Sequence, residues 1–171
     1  MLKLILASLV ILFETGIHTH KVPAISGGEI DFGDFSGKKI LVVNIATNSP
    51  RVVQIGQLQQ LHQTYSDSLV IVAFPSNSFG NENRSNSEIL QLCQSQYNTG
   101  FLIAAKGDVK GESIQLFYQW LTNREENGVF NNEVKGDFQK YLFDRNGRGL
   151  GVFSGSLSPL SPQLVNAITG N

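Results

Sequence analysis

Reactive side chains are scarce in this chain of 171 residues, which holds one cysteine (Cys93), one tryptophan and three histidines. A single cysteine excludes an intramolecular disulfide. The histidines are His18, His20 and His62, and no G-x-S-x-G elbow is present, so a serine nucleophile would lack its usual base and its usual turn. His18 and His20, two spaced imidazoles in an expected linker, are a poor signal for a metal site, and no metal is expected. Charge is thin: Asp, Glu, Lys and Arg make up 16% and the net charge is -1, which leaves no broad field to draw nucleic acid. Long apolar runs are also missing. Leu4–Phe13, behind Lys3, is the longest, and its ten residues are short for a bilayer span but suited to the core of a signal peptide. The reading is therefore a signal peptide and linker over residues 1–24 and one domain over residues 25–171. The product would be exported, periplasmic or secreted, with no stable membrane insertion after processing.

What remains is a well-punctuated α/β pattern. Gly27-Gly28 reads as a turn feeding a short strand, one arm of an N-terminal hairpin. Ile40–Ile45 is a mostly apolar run, as expected for a strand covered on both faces. Apolar residues then recur at helical spacing from Val53 to Tyr65, and a second apolar strand follows at Leu69–Phe74. Strand, crossover helix and strand make a parallel unit. Ser87 is the expected cap of a helix carrying Ile89, Leu90, Leu92 and Cys93 on one side. Leu116–Leu121 suits another helix. Phe138–Phe143 and Gly149–Phe153 flank Asp144-Arg145-Asn146-Gly147, a hairpin signal in which Asn-Gly would supply the positive-φ positions. Ser161 is the expected cap of the last helix. The order predicts helices on both sides of a central mixed sheet, with loops after Ile45, after Phe74 and before Phe138 converging at one end.

Four segments, in order, carry a resemblance. Val43-Asn44-Ile45-Ala46-Thr47-Asn48-Ser49 is similar to the V-N-x-A-S-x-C segment of glutathione peroxidases. Phe74-Pro75-Ser76-Asn77-Ser78-Phe79-Gly80 resembles their F-P-x-N-Q-F-G. Val109-Lys110-Gly111 with Leu116–Leu121 resembles V-x-G…P-L-Y-x-W-L. Gly136-Asp137-Phe138-Gln139-Lys140-Tyr141-Leu142 resembles W-N-F-x-K-F-L. The resemblance runs from about Ile25 to Ile168 and implies a thioredoxin-like fold.

It also implies four catalytic positions, and none keeps the family's side chain. The reactive sulfur falls on Ser49, the glutamine on Ser78, the tryptophan on Gly136 and the asparagine on Asp137. Asn44, Pro75, Asn77, Phe79 and Phe138 remain as supporting scaffold. Peroxide reduction needs a thiolate or selenolate, and a serine hydroxyl stays protonated and has no sulfenic-acid cycle. Asp137 would put negative charge where a neutral amide belongs. Pro50 removes a backbone N–H beside Ser49. The expectation is a family member with little or no peroxidase activity, kept as a binding module whose former cleft takes an unidentified small molecule or protein. No cofactor is expected; glutathione or thioredoxin would serve as reductant only in an active enzyme. The alternative is an active antioxidant oxidoreductase that uses Cys93 or a rearranged site, and it requires Cys93 to be a reactive thiol.

Overall fold

The computed structural model of the protein describes residues 16–170. The expected signal core lies outside the described residues. The strands and α-helices among the described residues are β1 (Lys21–Pro23), β2 (Glu29–Asp31), β3 (Lys39–Ile45), α1 (Gln54–Tyr65), β4 (Leu69–Pro75), α2 (Asn86–Tyr97), β5 (Leu102–Ile103), α3 (Leu116–Thr122), α4 (Arg124–Asn127), β6 (Lys140–Phe143), β7 (Gly149–Phe153) and α5 (Pro162–Thr169), with a turn of 3₁₀ helix before β1 (Ile17–Thr19) and another between β2 and β3 (Phe32–Phe35). The main sheet runs β5-β4-β3-β6-β7. β3 pairs with β4 in parallel and with β6 antiparallel, so the sheet is mixed, as expected.

All seven residues of β3 are buried. Alternation along the strand sends Ile40 and Val42 to one core and Leu41, Val43 and Ile45 to the other. The first core gathers the β1–β2 hairpin and the aromatic face of α3, with Phe74 and Phe117 stacked at 5.0 Å. The second gathers α1, α2 and α5.

The fold starts earlier than expected. Ile17 is fully buried and its N–H donates to the Gly147 carbonyl at 3.1 Å. Lys21–Pro23 form the first arm of the hairpin, against Glu29–Asp31. His20 lies on Trp120 with ring centroids 4.2 Å apart, and burial lowers its pKa. His18 abuts Gly147. Both histidines therefore belong to the domain rather than to a linker, and the boundary after residue 24 cuts through it. The apolar residues Ile17 and Val22, separated by polar ones, carried too little periodicity to mark this edge.

Three local expectations also change. Ser85, not Ser87, caps α2, in a capping box where Ser85 Oγ accepts from the Glu88 N–H and the Glu88 carboxylate accepts from the Ser85 N–H. In the β6–β7 turn only Gly147 has positive φ (+82°), not Asn146. The Asp144 carboxylate closes that turn by accepting from the N–H groups of Asn146 and Arg148. The strand expected from Phe138 begins at Lys140, because Phe138 itself sits in the left-handed region with φ +66°.

Candidate functional site

The carboxyl ends of β3 and β4 and the segment before β6 meet, as the sequence indicated. Asn44, near the end of β3, joins two of them. Its amide nitrogen donates to the Gly136 carbonyl at 3.0 Å, and its backbone carbonyl accepts from the Phe138 N–H at 2.7 Å. Phe138 is fully buried in its left-handed conformation. Such a conformation costs of the order of 1–3 kcal/mol and persists only where neighbours fix it. The Asn44 carbonyl on one side and the Lys140 ammonium on the Phe138 carbonyl do so here.

Beyond β3 the chain turns through Thr47, Asn48 and Ser49. Ser49 is 2% exposed; its Oγ accepts from the Arg51 N–H at 3.3 Å, and its carbonyl accepts from the Val52 N–H. This is the serine turn that leads into α1. No imidazole stands near enough to activate it: His62 lies far along α1, against Gly100 and Phe101. Ser49 therefore has no imidazole base beside it.

The β4 loop is held by residues that the sequence reading did not single out. Glu82 is fully buried, and its carboxylate accepts from the Thr47 N–H (2.7 Å), the Thr47 hydroxyl (2.9 Å) and the Arg84 N–H. Asn77 supports the turn by accepting from the Glu82 N–H, and Pro75 ends β4 opposite Ile45. Phe79 packs against the α3 core with Lys110 over its ring at 4.8 Å. Asn48 N–H donates to the Asn81 carbonyl, and the Asn81 amide donates to Asp137 Oδ2 at 2.6 Å. That chain of contacts ties the Ser49 loop to Asp137.

Ser78 makes no hydrogen bond to Asp137. Its hydroxyl is bonded within its own loop to Ser76 and reaches the Asp108 carboxylate at 3.4 Å and the Val109 N–H at 3.0 Å. It therefore braces the β4 loop against the 108–109 segment, and Asn81 is the residue of this loop that meets Asp137. A hydroxyl is too short to do both, whereas a longer amide would have reach. At Gly136 a Cβ would meet no atom within 4 Å, so the space beside it is open.

Beneath the site lies Lys140, fully buried inside a strand. Its ammonium donates to Gln54 Oε1, the Phe138 carbonyl and the Leu157 carbonyl, each at 2.8 Å. Burial, with the Arg51 charge nearby, pushes its pKa down to about 7. Three acceptors use all three ammonium protons, so Lys140 pins the start of α1, Phe138 and the 155–157 loop together. The lone polar residue in an apolar strand was the signal for it. Cys93 is a free thiol, fully buried on the inner side of α2, and burial, then the nearby Glu82, raises its pKa to about 11.

Residues 17–122 match the sequence profile described as glutathione peroxidase. The chain is 32% identical over 145 residues to the glutathione peroxidase homolog BsaA of Bacillus subtilis, covering 84% of this chain and 91% of that protein. It is 35% identical over 136 residues to the glutathione peroxidase-like peroxiredoxin gpx1 of Schizosaccharomyces pombe, covering 78% and 85%. Among solved structures it resembles Trgpx in its apo form, with a TM-score of 0.68 at 26% identity over 91% of this chain and 97% of that one. A thiol:disulfide interchange protein of the thioredoxin family from Chlorobium tepidum shares the fold at TM-score 0.65 and 15% identity, covering 91% and 96%. The fold is thioredoxin-like, and the chain belongs to the glutathione peroxidase family.

Proposed function

We propose that this glutathione peroxidase family member does not reduce peroxide and acts as an exported binding module through its former catalytic cleft. The observation that carries the reading is the buried hydroxyl of Ser49, which accepts from the Arg51 N–H and which the resemblance puts at the position of the family's reactive sulfur. An alcohol has no accessible thiolate-like form near neutral pH and no sulfenic-acid cycle, so the first step of peroxide reduction has no nucleophile. The neighbouring substitutions agree. Ser78 is turned to Asp108 and Val109, Gly136 has no side chain, and Asp137 is a carboxylate where a neutral amide donor would aid a developing anion.

Cys93 does not make up the loss. It is fully buried and its pKa is raised, which is the setting of a packing thiol rather than a reactive one. Export rests on Lys3 and the apolar run Leu4–Phe13. Processing upstream of Ile17 would keep the hairpin and its packing intact. Among the described residues no helix is long and apolar enough to cross a membrane. The test of the reading is peroxide consumption by the chain with glutathione and with thioredoxin as reductants, which should not exceed that of buffer; turnover would refute it.

A further inference from the structure

Two Asn-Gly pairs lie away from the Ser49 loop: Asn127-Gly128 at the end of α4 and Asn146-Gly147 in the β6–β7 turn. Asparagine is thermolabile because the next backbone nitrogen can attack its side-chain carbonyl, and a following glycine leaves that approach unobstructed. The backbone setting of the two pairs is alike. Both glycines have positive φ, +78° at Gly128 and +82° at Gly147. The Gly128 N–H donates to the Arg124 carbonyl at 2.9 Å and the Gly147 N–H to the Asp144 carbonyl at 3.1 Å.

The asparagine side chains are not alike. Asn127 is clamped: its amide nitrogen donates to the Trp120, Leu121 and Phe130 carbonyls at 2.7, 3.1 and 3.0 Å. Its Oδ1 accepts from the N–H groups of Val129 and Phe130. Reaction at its Cγ would break these contacts and strand backbone groups of α3 and of the following loop. Asn146 is exposed, and its side chain makes no hydrogen bond among the described residues; only its backbone N–H is held, by the Asp144 carboxylate at 2.9 Å.

We propose that Asn146 is a site of spontaneous deamidation in the folded protein, while Asn127 is protected by its contacts. The Gly147 nitrogen attacks Asn146 Cγ and a new N–Cγ bond forms. The proton of that nitrogen leaves with the Nδ2 group as ammonia, and a five-membered imide remains. Water then opens the imide. Opening at Cγ leaves aspartate; opening at the α-carbonyl carbon routes the main chain through Cγ and leaves isoaspartate. Water is the only co-reactant. The turn hydrogen bonds restrain Gly147, so the folded chain reacts more slowly than the unfolded one. The place of the reaction gives it a structural consequence. The Asp144 carboxylate accepts from the N–H groups of Asn146 and Arg148, and the Gly147 carbonyl accepts from the Ile17 N–H at 3.1 Å. Either product sets a new carboxylate two residues from Asp144, and isoaspartate also adds a methylene to the main chain of the turn. Both changes weaken the contact that fastens Ile17.

Incubation of the full chain at mildly alkaline pH, folded and in denaturant, followed by peptide mapping with mass spectrometry, tests it. In denaturant the two pairs should deamidate at comparable rates, which removes local sequence as the cause of any difference. In the folded chain deamidation at Asn146 should be at least tenfold faster than at Asn127. The isoaspartate formed there should accept a methyl group from S-adenosylmethionine under an isoaspartyl methyltransferase. Amide exchange at Ile17 should be several-fold faster in the aged chain, and N146S aged in the same way should show neither the modification nor the faster exchange. Equal rates at the two sites in the folded chain, or faster reaction at Asn127, would overturn the assignment. So would a folded chain that stays intact at Asn146 over a period in which the denatured chain reacts to completion. Unchanged exchange at Ile17 in the deamidated chain would overturn the link to the N-terminal edge.

Discussion

The Asn81 amide donates to Asp137 Oδ2 at 2.6 Å, while Asp137 Oδ1, in the same buried carboxylate, accepts nothing. One oxygen is thus built into the loop network that reaches Ser49, and the other faces an unmet demand for a donor.

Restoring the sulfur alone should recover little. In S49C the new thiol would share its loop cluster with the Asp137 carboxylate, which favours the protonated thiol. The double variant S49C/D137N should show a thiol pKa lower by about one unit, since a neutral amide replaces a like charge. Thiolate absorbance against pH reads this directly. Equal pKa values in the two variants would mean that Asp137 does not act on this position.

Lys140 makes stability depend on pH. Its folded pKa of about 7 lies below the ordinary lysine value, so between roughly pH 7 and 10 the unfolded chain binds more protons than the folded one. Stability then rises with pH. From pH 7 to 9 the gain from this group is about 2 kcal/mol. Above about pH 9 the raised pKa of Cys93 works in the opposite sense, because the unfolded chain then loses a proton that the folded one keeps. Denaturant midpoints at pH 7, 8 and 9 should increase for the native chain. K140M should flatten that rise while leaving three acceptors unpaired, at a cost of about 1–3 kcal/mol.

Cys93 should behave as a packing residue. A thiol-specific reagent should label it slowly in the native chain and fully in denaturant, as expected for a buried thiol of high pKa. C93S should lower stability by about 1–3 kcal/mol by burying a hydroxyl without a partner. Fast labelling in the native state would revive Cys93 as a redox centre.

The N-terminal edge has a stability test of its own. A chain beginning at Gly16 keeps Ile17, His20 and β1; one beginning at Ile25 loses them. Burying Ile17 and Val22 is worth about 3–6 kcal/mol by area. At roughly 2–4 °C per kcal/mol for a domain of this size, the shorter chain should melt about 6–24 °C lower. Equal melting temperatures would show that the hairpin is dispensable.

Much of this architecture was legible in the sequence because its signals are local. The apolar run Ile40–Ile45 gave the central strand, Gly27-Gly28 gave the hairpin turn, and Ser161 capped α5 as read. Asn44, Gly136 and Phe138 do meet, and Asp137 is tied to the Ser49 loop through Asn81 and Asn48. What was not legible depends on side-chain reach and tertiary contact. Ser78 turns away because its short hydroxyl finds partners in Asp108 and Val109, and Asn81 takes the contact with Asp137 instead. Phe138 has positive φ through the grip of Asn44 and Lys140, which no propensity encodes. Ile17–Pro23 joined the domain through long-range contacts with Gly147 and Asp31 that a short polar-interrupted segment does not announce.

The central claim is the absence of peroxide reduction, and it is tested most directly by following hydrogen peroxide and an organic hydroperoxide over time with the chain beginning at Gly16. Glutathione and thioredoxin, each with its regenerating reductase, would supply electrons, and C93S would run alongside. The account predicts peroxide loss no faster than in buffer for both proteins. Reductant-dependent turnover by the native chain would contradict it, and loss of that turnover in C93S would move the chemistry to α2.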